Sequence, residues 1–186
     1  ASTIVWGWYA GMEAGNAFAD VLLGKVNPSG KMPITLPVKL ADTPAIALDD
    51  YNEHDSYYKE GVFMGYRWFD ANNIEPLFAF GHGLSFTQFE YSDIKLSSHE
   101  LLGDEVLQVT CNITNTGKVA GAEVVQLYLQ DVEASVARPN KELKGFAKVF
   151  LQPNQTETVR FKINKRDLSF WDVKSSDWLA ESGEFR

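Results

Sequence analysis

Cysteine is nearly absent. Cys111 is the only one in 186 residues, which excludes a disulfide framework and a cysteine-based metal site. A lone thiol fits an oxidising or a reducing compartment. Histidine is scarce as well, with three in all, and no second His lies at helical spacing from another. Basic residues are outnumbered: 17 Lys and Arg against 25 Asp and Glu give a formal charge of -8. A phosphate-binding face needs the opposite balance, so nucleic acid is not an expected partner. No apolar run approaches the length that spans a bilayer, so no membrane partner is expected either. No secretory leader is visible, but the chain opens on Ala1, so nothing follows about export. Gly7, Gly11 and Gly15 lack the spacing of a phosphate loop, and no nucleotide or other cofactor is expected. Ser29 and Ser85 have no nearby pattern of His and Asp, which argues against a serine nucleophile.

What is there suits a folded chain. Hydrophobic residues at 45% and charged residues at 23% are an ordinary globular balance, and the length allows one domain or one and a half. Aromatics at 13% favour sizeable cores or sugar-stacking surfaces. Their densest block runs from Glu60 to Leu84. Phe63, Tyr66, Trp68, Phe69, Phe78 and Phe80 lie there among Gly61, Gly65, Gly81 and Gly83. No clean period runs through it. Alternation would group Val62, Met64, Tyr66 and Trp68 but turn Phe63 and Phe69 outward. The block reads as irregular chain pinned by buried rings, with Tyr66, Trp68 and Phe80 between two architectures.

Upstream the texture is α/β. Ser2 to Trp6 reads as a short buried strand, Gly7 to Gly11 as a turn, and Met12 to Leu23 as a helix. Ala14, Ala17, Phe18, Val21 and Leu22 recur at helical spacing, Glu13 suits the first turn, and Gly24 suits the C-terminal cap. Such a half-unit cannot bury its own faces, so its sheet is expected elsewhere in a longer polypeptide. Asn27-Pro28-Ser29-Gly30 reads as a turn. Lys31 to Leu36 reads as an edge or irregular strand because Pro33 lacks a donor. Residues 37–59 form a long acidic loop whose Tyr51, Tyr57 and Tyr58 predict packing for part of it.

Downstream the texture is all-β. Phe89 to Leu96 is a first strand. Leu107, Val109, Cys111 and Ile113 alternate with polar residues, and so do Val125, Leu127 and Leu129, then Val159, Phe161 and Ile163. Leu143 to Leu151, Asp167 to Val173 and Trp178 to Ala180 complete a set of short strands that predicts an antiparallel sandwich. Cys111 falls on the apolar phase and reads as an inert core thiol.

Three blocks together carry a resemblance. They are E-G-x-x-x-G-Y-R-W-F-D with I-E-P-L-F-x-F-G-H-G-L-S; W-Y-A-G-M-E-A-G-N-A with V-N-P-S-G-K-M-P; and N-T-G-K-V-A-G-A-E-V-V-Q-L-Y with K-E-L-K-G-F. In this order they resemble the signature of glycoside hydrolase family 3, the β-glucosidases and their relatives. The family's usual Pro is replaced by Ala10, which loosens the expectation for that turn only. The resemblance implies a mixed fold class: the C-terminal part of an α/β sandwich, followed by an all-β immunoglobulin-like sandwich of the fibronectin type III-like kind. The implied boundaries are residues 1–60 for the α/β end with the acidic loop, 61–85 for the seam, and 86–186 for the β-sandwich. The family's last strand would begin near Glu184, so the sandwich is expected to lack most of one strand. The implied activity is hydrolysis of terminal β-glucosyl residues with retention. The implied partners are an upstream barrel and α/β domain of the same protein, a small β-glucoside or oligosaccharide, and in some cases a further copy of the chain. A periplasmic or extracellular setting is favoured, with the cytoplasm open. The alternative is a non-catalytic fibronectin-like carbohydrate-binding or adhesion module.

No catalytic residue is assigned here, because the resemblance implies that the nucleophile Asp and the acid/base Glu lie upstream. Glu60 and Asp70 read instead as structural partners of Arg67 or of backbone amides. Glu53-His54-Asp55 superficially suggests metal ligands, but adjacent residues rarely converge on one ion, and no metal is expected. His82 reads as a hydrogen-bonded packing residue and His99 as exposed. In open α/β sheets ligands collect beyond the carboxyl ends of strands. The turn after Trp6 lies at such an end, with the helix N-terminus beside it. Trp8 and Glu13 are therefore the candidate substrate-binding residues, the first as a ring face and the second as a hydroxyl acceptor. The competing reading packs Trp6 and Trp8 into a core and makes Glu13 a helix-start carboxylate.

Overall fold

The computed structural model describes residues 3–52 and 54–186. Its first helix, α1 (Ala14–Leu22), turns Ala14, Phe18 and Val21 inward and leaves Leu22 exposed. It closes on a full Schellman motif at Gly24. The Gly24 N–H reaches Val21 O and the Lys25 N–H reaches Asp20 O, at 3.1 and 2.8 Å, while Gly24 takes φ +71°. The expected strand Ser2–Trp6 is not formed over its described residues. Ile4, Val5 and Trp6 are 58%, 47% and 54% exposed, since a strand without a ladder neighbour buries neither face. Ser2 lies outside the described residues.

The expected turn at Asn27–Gly30 is also absent, and the chain there is irregular. Distant partners claim the Asn27 side chain. It accepts from Ser85 Oγ and the Phe86 N–H at 3.0 and 2.8 Å, and donates to Ala120 O at 3.0 Å. A β-carbon at Gly83 would collide with Gly30 O, so this glycine serves close backbone approach. Lys31 to Leu36 runs as the irregular strand expected from Pro33. It pairs through Met32 N–H to His82 O at 2.7 Å and through an antiparallel bridge of Leu36 with Phe78.

The acidic loop has more local order than its composition suggests. A 3-10 turn (Leu40–Asp42) leads into α2 (Pro44–Ala47), with Pro44 at the first position, where its missing donor does no harm. Tyr51, Tyr57 and Tyr58 are 77%, 68% and 73% exposed, so none of them packs within this chain. Asp50 closes the loop instead. Its buried carboxylate accepts from the N–H groups of Tyr57 and Lys59 at 2.9 and 3.2 Å. Those bonds, Tyr57's foremost, hold its pKa below the ordinary aspartate value.

The aromatic block contains a short helix, α3 (Tyr66–Ala71), entered through Gly65 at φ +58°. Alternation could not reveal it. Phe69, which strict alternation would turn outward, is a buried ring as the irregular reading of the block expects, at 5% exposure, because helical spacing points it inward. Tyr66, Trp68 and Phe80 are half-buried.

The C-terminal half is a β-sandwich. β1 (Phe89–Leu96), β2 (Leu107–Asn115) and β5 (Thr156–Ile163) form one sheet in the order β1-β2-β5, and β3 (Gly121–Leu129) pairs with β4 (Glu142–Leu151), all antiparallel. Ile113 and Leu151, both 0% exposed, centre a core completed by Val125, Val149 and Val159. The alternation read from the sequence is thus the core face of two sheets. Cys111 has the expected phase but is only half-buried. A bulge in β1 sets Asp93 and Ile94 against it, and its sulfur lies 3.4 Å from Ser92 O. The strand expected from Asp167 is displaced. Asn164 and Asp167 form a capping box that starts a helical turn, α4 (Lys165–Leu168), before β6 (Phe170–Asp172) pairs with β7 (Asp177–Leu179). Residues 184–186 run antiparallel to 130–132 through a bridge of Asp131 with Phe185.

Asn115 is wholly buried and fully satisfied. Its Oδ1 accepts from Thr87 Oγ1 and the Gly117 N–H at 2.6 and 3.1 Å, and its Nδ2 donates to Val119 O and Leu151 O at 2.8 and 3.0 Å. Asn115→Ala strands four groups, each worth about 1 kcal/mol or more when buried without a partner. A loss of about 3 kcal/mol lowers the melting midpoint by roughly 6–12 °C for a chain of this size. An unchanged circular-dichroism melt would contradict this role.

The lowered pKa of Asp50 fixes a sign. Its stabilising effect is present above the unfolded aspartate pKa and is lost as pH falls through the folded one. Amide exchange at Tyr57 and Lys59, corrected for intrinsic rates, is therefore expected to accelerate on acidification past the ordinary aspartate range. In Asp50→Asn it is fast at neutral pH and nearly flat in acid. Equal acid sensitivity in both proteins would show that another group closes the loop.

Candidate functional site

The turn from Trp6 to Glu13 leaves its large side chains uncovered. Trp6 and Trp8 are 54% and 51% exposed, and Tyr9 and Met12 are fully so. Within this chain no core covers the two tryptophans. They meet edge to face, with centroids 5.4 Å apart and planes at 68°. Trp8 takes φ +48°, a left-handed conformation that its side chain disfavours and that sets its ring off the chain path. Below them, a β-carbon at Gly7 would collide with the Phe18 ring, so Gly7 lets the turn rest on α1.

Glu13 is the N-cap residue of α1 and makes no side-chain cap. Its exposed carboxylate accepts from Asn16 Nδ2 at 2.6 Å. Trp8 and Glu13 thus share one exposed segment, but their direct neighbours are Trp6 and Asn16. A ring face, an exposed carboxylate and a helix N-terminus are groups that sugar recognition uses: C–H faces stack, and hydroxyls donate to carboxylates.

Among the described residues, neither Glu60 nor Asp70 takes the partner expected of it. Arg67 pairs with Glu142 at 3.5 Å rather than with Glu60 or Asp70, and Asp70 pairs with Lys141 at 3.0 Å. Glu142 also holds Arg138 at 2.7 Å and Lys144 at 3.5 Å. Burial works against its charge, but Arg138, Lys144 and Arg67 together keep its pKa below the ordinary range. Tyr66 stacks on Phe80 at 5.1 Å, meets Tyr128 edge on, and accepts from the Leu143 N–H at 2.9 Å. Trp68 Nε1 donates to Asp42 O at 3.0 Å. Burial pushes the Tyr128 and Tyr91 hydroxyl pKa values up, with the Glu123 carboxylate adding to the shift at Tyr91. Lys31 reaches Glu123 at 3.1 Å and Gly83 O at 2.8 Å.

Two open clefts flank Lys141. One of about 380 Å³ lies by Asp70, Asn73 and Glu75, and the other, of about 420 Å³, by Phe80, Glu123 and Tyr128. Spacing rules could not find either, because the first joins α3 and its exit to the approach to β4, and the second joins Phe80 and Gly81 to β1 and β3. His82 is exposed and bonds through its backbone carbonyl, contrary to the side-chain role expected, while its ring tilts against Phe78. His99 is exposed as read. Of the Glu53-His54-Asp55 run, Glu53 lies outside the described residues, and no group of metal-ligating side chains occurs among the described residues.

Comparison with known proteins agrees with this architecture. Residues 1–86 match the glycosyl hydrolase family 3 C-terminal domain, and residues 123–186 match a fibronectin type III-like domain. The chain is 48% identical to thermostable beta-glucosidase B of Acetivibrio thermocellus, over 98% of this chain and 24% of that protein. It is 47% identical to beta-glucosidase BoGH3A of Bacteroides ovatus, over 99% and 25%. The chain thus spans about a quarter of the length of these curated relatives. The crystal structure of the Bifidobacterium adolescentis GH3 beta-glucosidase superposes with a TM-score of 0.90 at 38% identity, over 97% of this chain and 26% of that one. Beta-glucosidase 3B of Thermotoga neapolitana, solved in complex with glucose, superposes with a TM-score of 0.84 at 39% identity, over 96% and 25%. With both domains matched in order and the fold shared, the chain belongs to glycosyl hydrolase family 3 and carries its C-terminal domain followed by a fibronectin type III-like domain.

Proposed function

We propose that this chain is the C-terminal part of a retaining β-glucosidase that removes terminal β-linked glucosyl residues from small glucosides or oligosaccharides. The observation that carries the reading is the 48% identity to a named β-glucosidase over 98% of the chain. Retention needs two carboxyls about 5 to 5.5 Å apart, one attacking the anomeric carbon and one serving as acid and then base. Both are assigned to residues outside this chain, in an upstream barrel and α/β domain. The residues described here act as scaffold and as one wall of the pocket.

In that wall Trp8 offers a ring face and Glu13 a hydroxyl acceptor. The support is their exposure on a turn that glycine contact fastens to α1. A carboxylate bonded to a sugar hydroxyl is worth about 1.5–3 kcal/mol, enough to orient a ring that stacking alone would leave free to slide. A free-standing adhesion module would have no use for α1 and the segment before it, which fall within the match to the family 3 domain.

Two measurements test this. The isolated chain is expected to be inactive on an aryl β-glucoside; turnover that stays above a buffer blank after repurification would overturn the assignment of the catalytic pair. In the full-length protein, Trp8→Ala is expected to lower kcat/KM at least tenfold, about 1.4 kcal/mol, with the melting midpoint unchanged. Wild-type kinetics in that variant would reduce the turn to scaffold.

A further inference from the structure

Away from the turn and the seam, one surface displays two large rings that no core uses. In the β6–β7 hairpin Trp171 pairs directly with Trp178 across the strands, and the two are 50% and 43% exposed. Their neighbours alternate to the other face. There Phe170 is half-buried beneath the Arg138 guanidinium, which also donates to Leu168 O at 2.8 Å. β7 is exposed along its length, with Leu179 at 41% beside Trp178 at 43%, so the hairpin is seated through Phe170 of β6 and Arg138. Its tip is preformed: Asp172 accepts from the N–H groups of Lys174 and Ser175 at 3.2 and 3.0 Å and from Ser175 Oγ at 2.7 Å. Its base is tied by Glu181, which accepts from the Ser135 N–H at 2.9 Å.

We propose that the outer face of this hairpin is a second sugar-binding surface, taking a single soluble β-glucan chain. The choice of β-glucan rests on the reading of the chain as part of a β-glucosidase; the surface itself rests on the geometry. The rings meet at 66° with centroids 5.5 Å apart, which makes a corner and not a platform. A pyranose seated in it lays one C–H face on one indole and an edge on the other. A flat crystalline face needs coplanar rings and gains little here. The Arg166 guanidinium covers one face of Trp178, so a hydrogen-bond donor for sugar hydroxyls stands at that ring. A protein partner fits poorly. A stable protein interface buries about 1,200 Å² or more around an apolar centre, whereas this face offers two rings, one of them already covered by the Arg166 guanidinium.

The test is native electrophoresis of the full-length protein through gels containing soluble mixed-linkage β-glucan, beside sedimentation with microcrystalline cellulose. Retardation by the soluble polymer and no retention on cellulose are expected. Trp171→Ala/Trp178→Ala is expected to weaken the apparent affinity about tenfold, equivalent to roughly 1.4 kcal/mol, while kcat/KM on an aryl β-glucoside stays at the wild-type value. If the double variant melts early, Trp171→Thr keeps strand propensity and removes one ring, and is expected to weaken binding at least about threefold. No retardation of the wild type, unchanged retardation of the variants, or equal retention on crystalline cellulose overturns the proposal. A protein that is retarded but does not cleave the aryl glucoside keeps this surface and loses the β-glucosidase reading. One that cleaves but is not retarded does the reverse.

Discussion

The structure depends on a buried cluster of charges around Glu142. Its carboxylate sits between Arg138 and Arg67, and Arg138 in turn holds Asp131 at 2.9 Å. The side chains of Arg138, Asp131 and Glu142 are only 8%, 3% and 16% exposed. Taking such charges from water costs several kcal/mol each, and attraction offsets this only when geometry and the remaining donors are satisfied. Arg138 meets that condition by also donating to Leu168 O. Five parts of the chain thereby meet at one place: α3, the 130–141 segment, the start of β4, α4 and the hairpin behind it. Such a cluster fixes relative position more than it adds stability, because any shift leaves a charge uncompensated in a poor solvent.

A second set of contacts acts through the absence of side chains. Gly83 passes the Gly30 backbone too closely for a β-carbon, and Gly121 leaves room for the Asn27 and Thr87 side chains. Asn27 then reaches Ser85, Phe86 and Ala120. Backbone contact brings the polar groups within reach, and the polar groups fix the register of that contact. The N-P-S-G block, the F-G-H-G-L block and the start of β3 are thus three faces of one junction.

What the sequence revealed and what it hid follow from range. β2, β3 and β5 were legible because each buries one face against the opposite sheet, which writes a period of two into the residues. α1 was legible from Ala14, Phe18 and Val21 and from Gly24 as its stop. α3 was not, since six residues give under two turns of pattern and only Phe69 is fully buried. The turn expected at Asn27 failed because local turn chemistry lost to partners 58 to 93 residues away. Arg67 was expected to pair within the aromatic block for the same reason: spacing weighs near neighbours, and Glu142 is distant in sequence. At the candidate site, Trp8 and Glu13 could be placed on a turn and a helix start, but the Trp6–Trp8 edge contact and the strained φ of Trp8 had no local signal.

These connections set how firmly the exposed turn is held. From Trp8 the path runs through Gly7, which rests on Phe18, into α1. α1 ends on the Schellman bonds at Gly24 and Lys25, and only Val26 separates these from Asn27 and its three bonds to the junction. The junction is in turn tied to β3 by Lys31, which bridges Gly83 O and Glu123. No long flexible segment interrupts this path. A displacement of the sandwich against the aromatic block would therefore reach the turn, and the side chains it displays, as a rigid-body shift. On this argument the fibronectin-like domain holds α1, and with it the exposed turn, in place through the junction at Asn27.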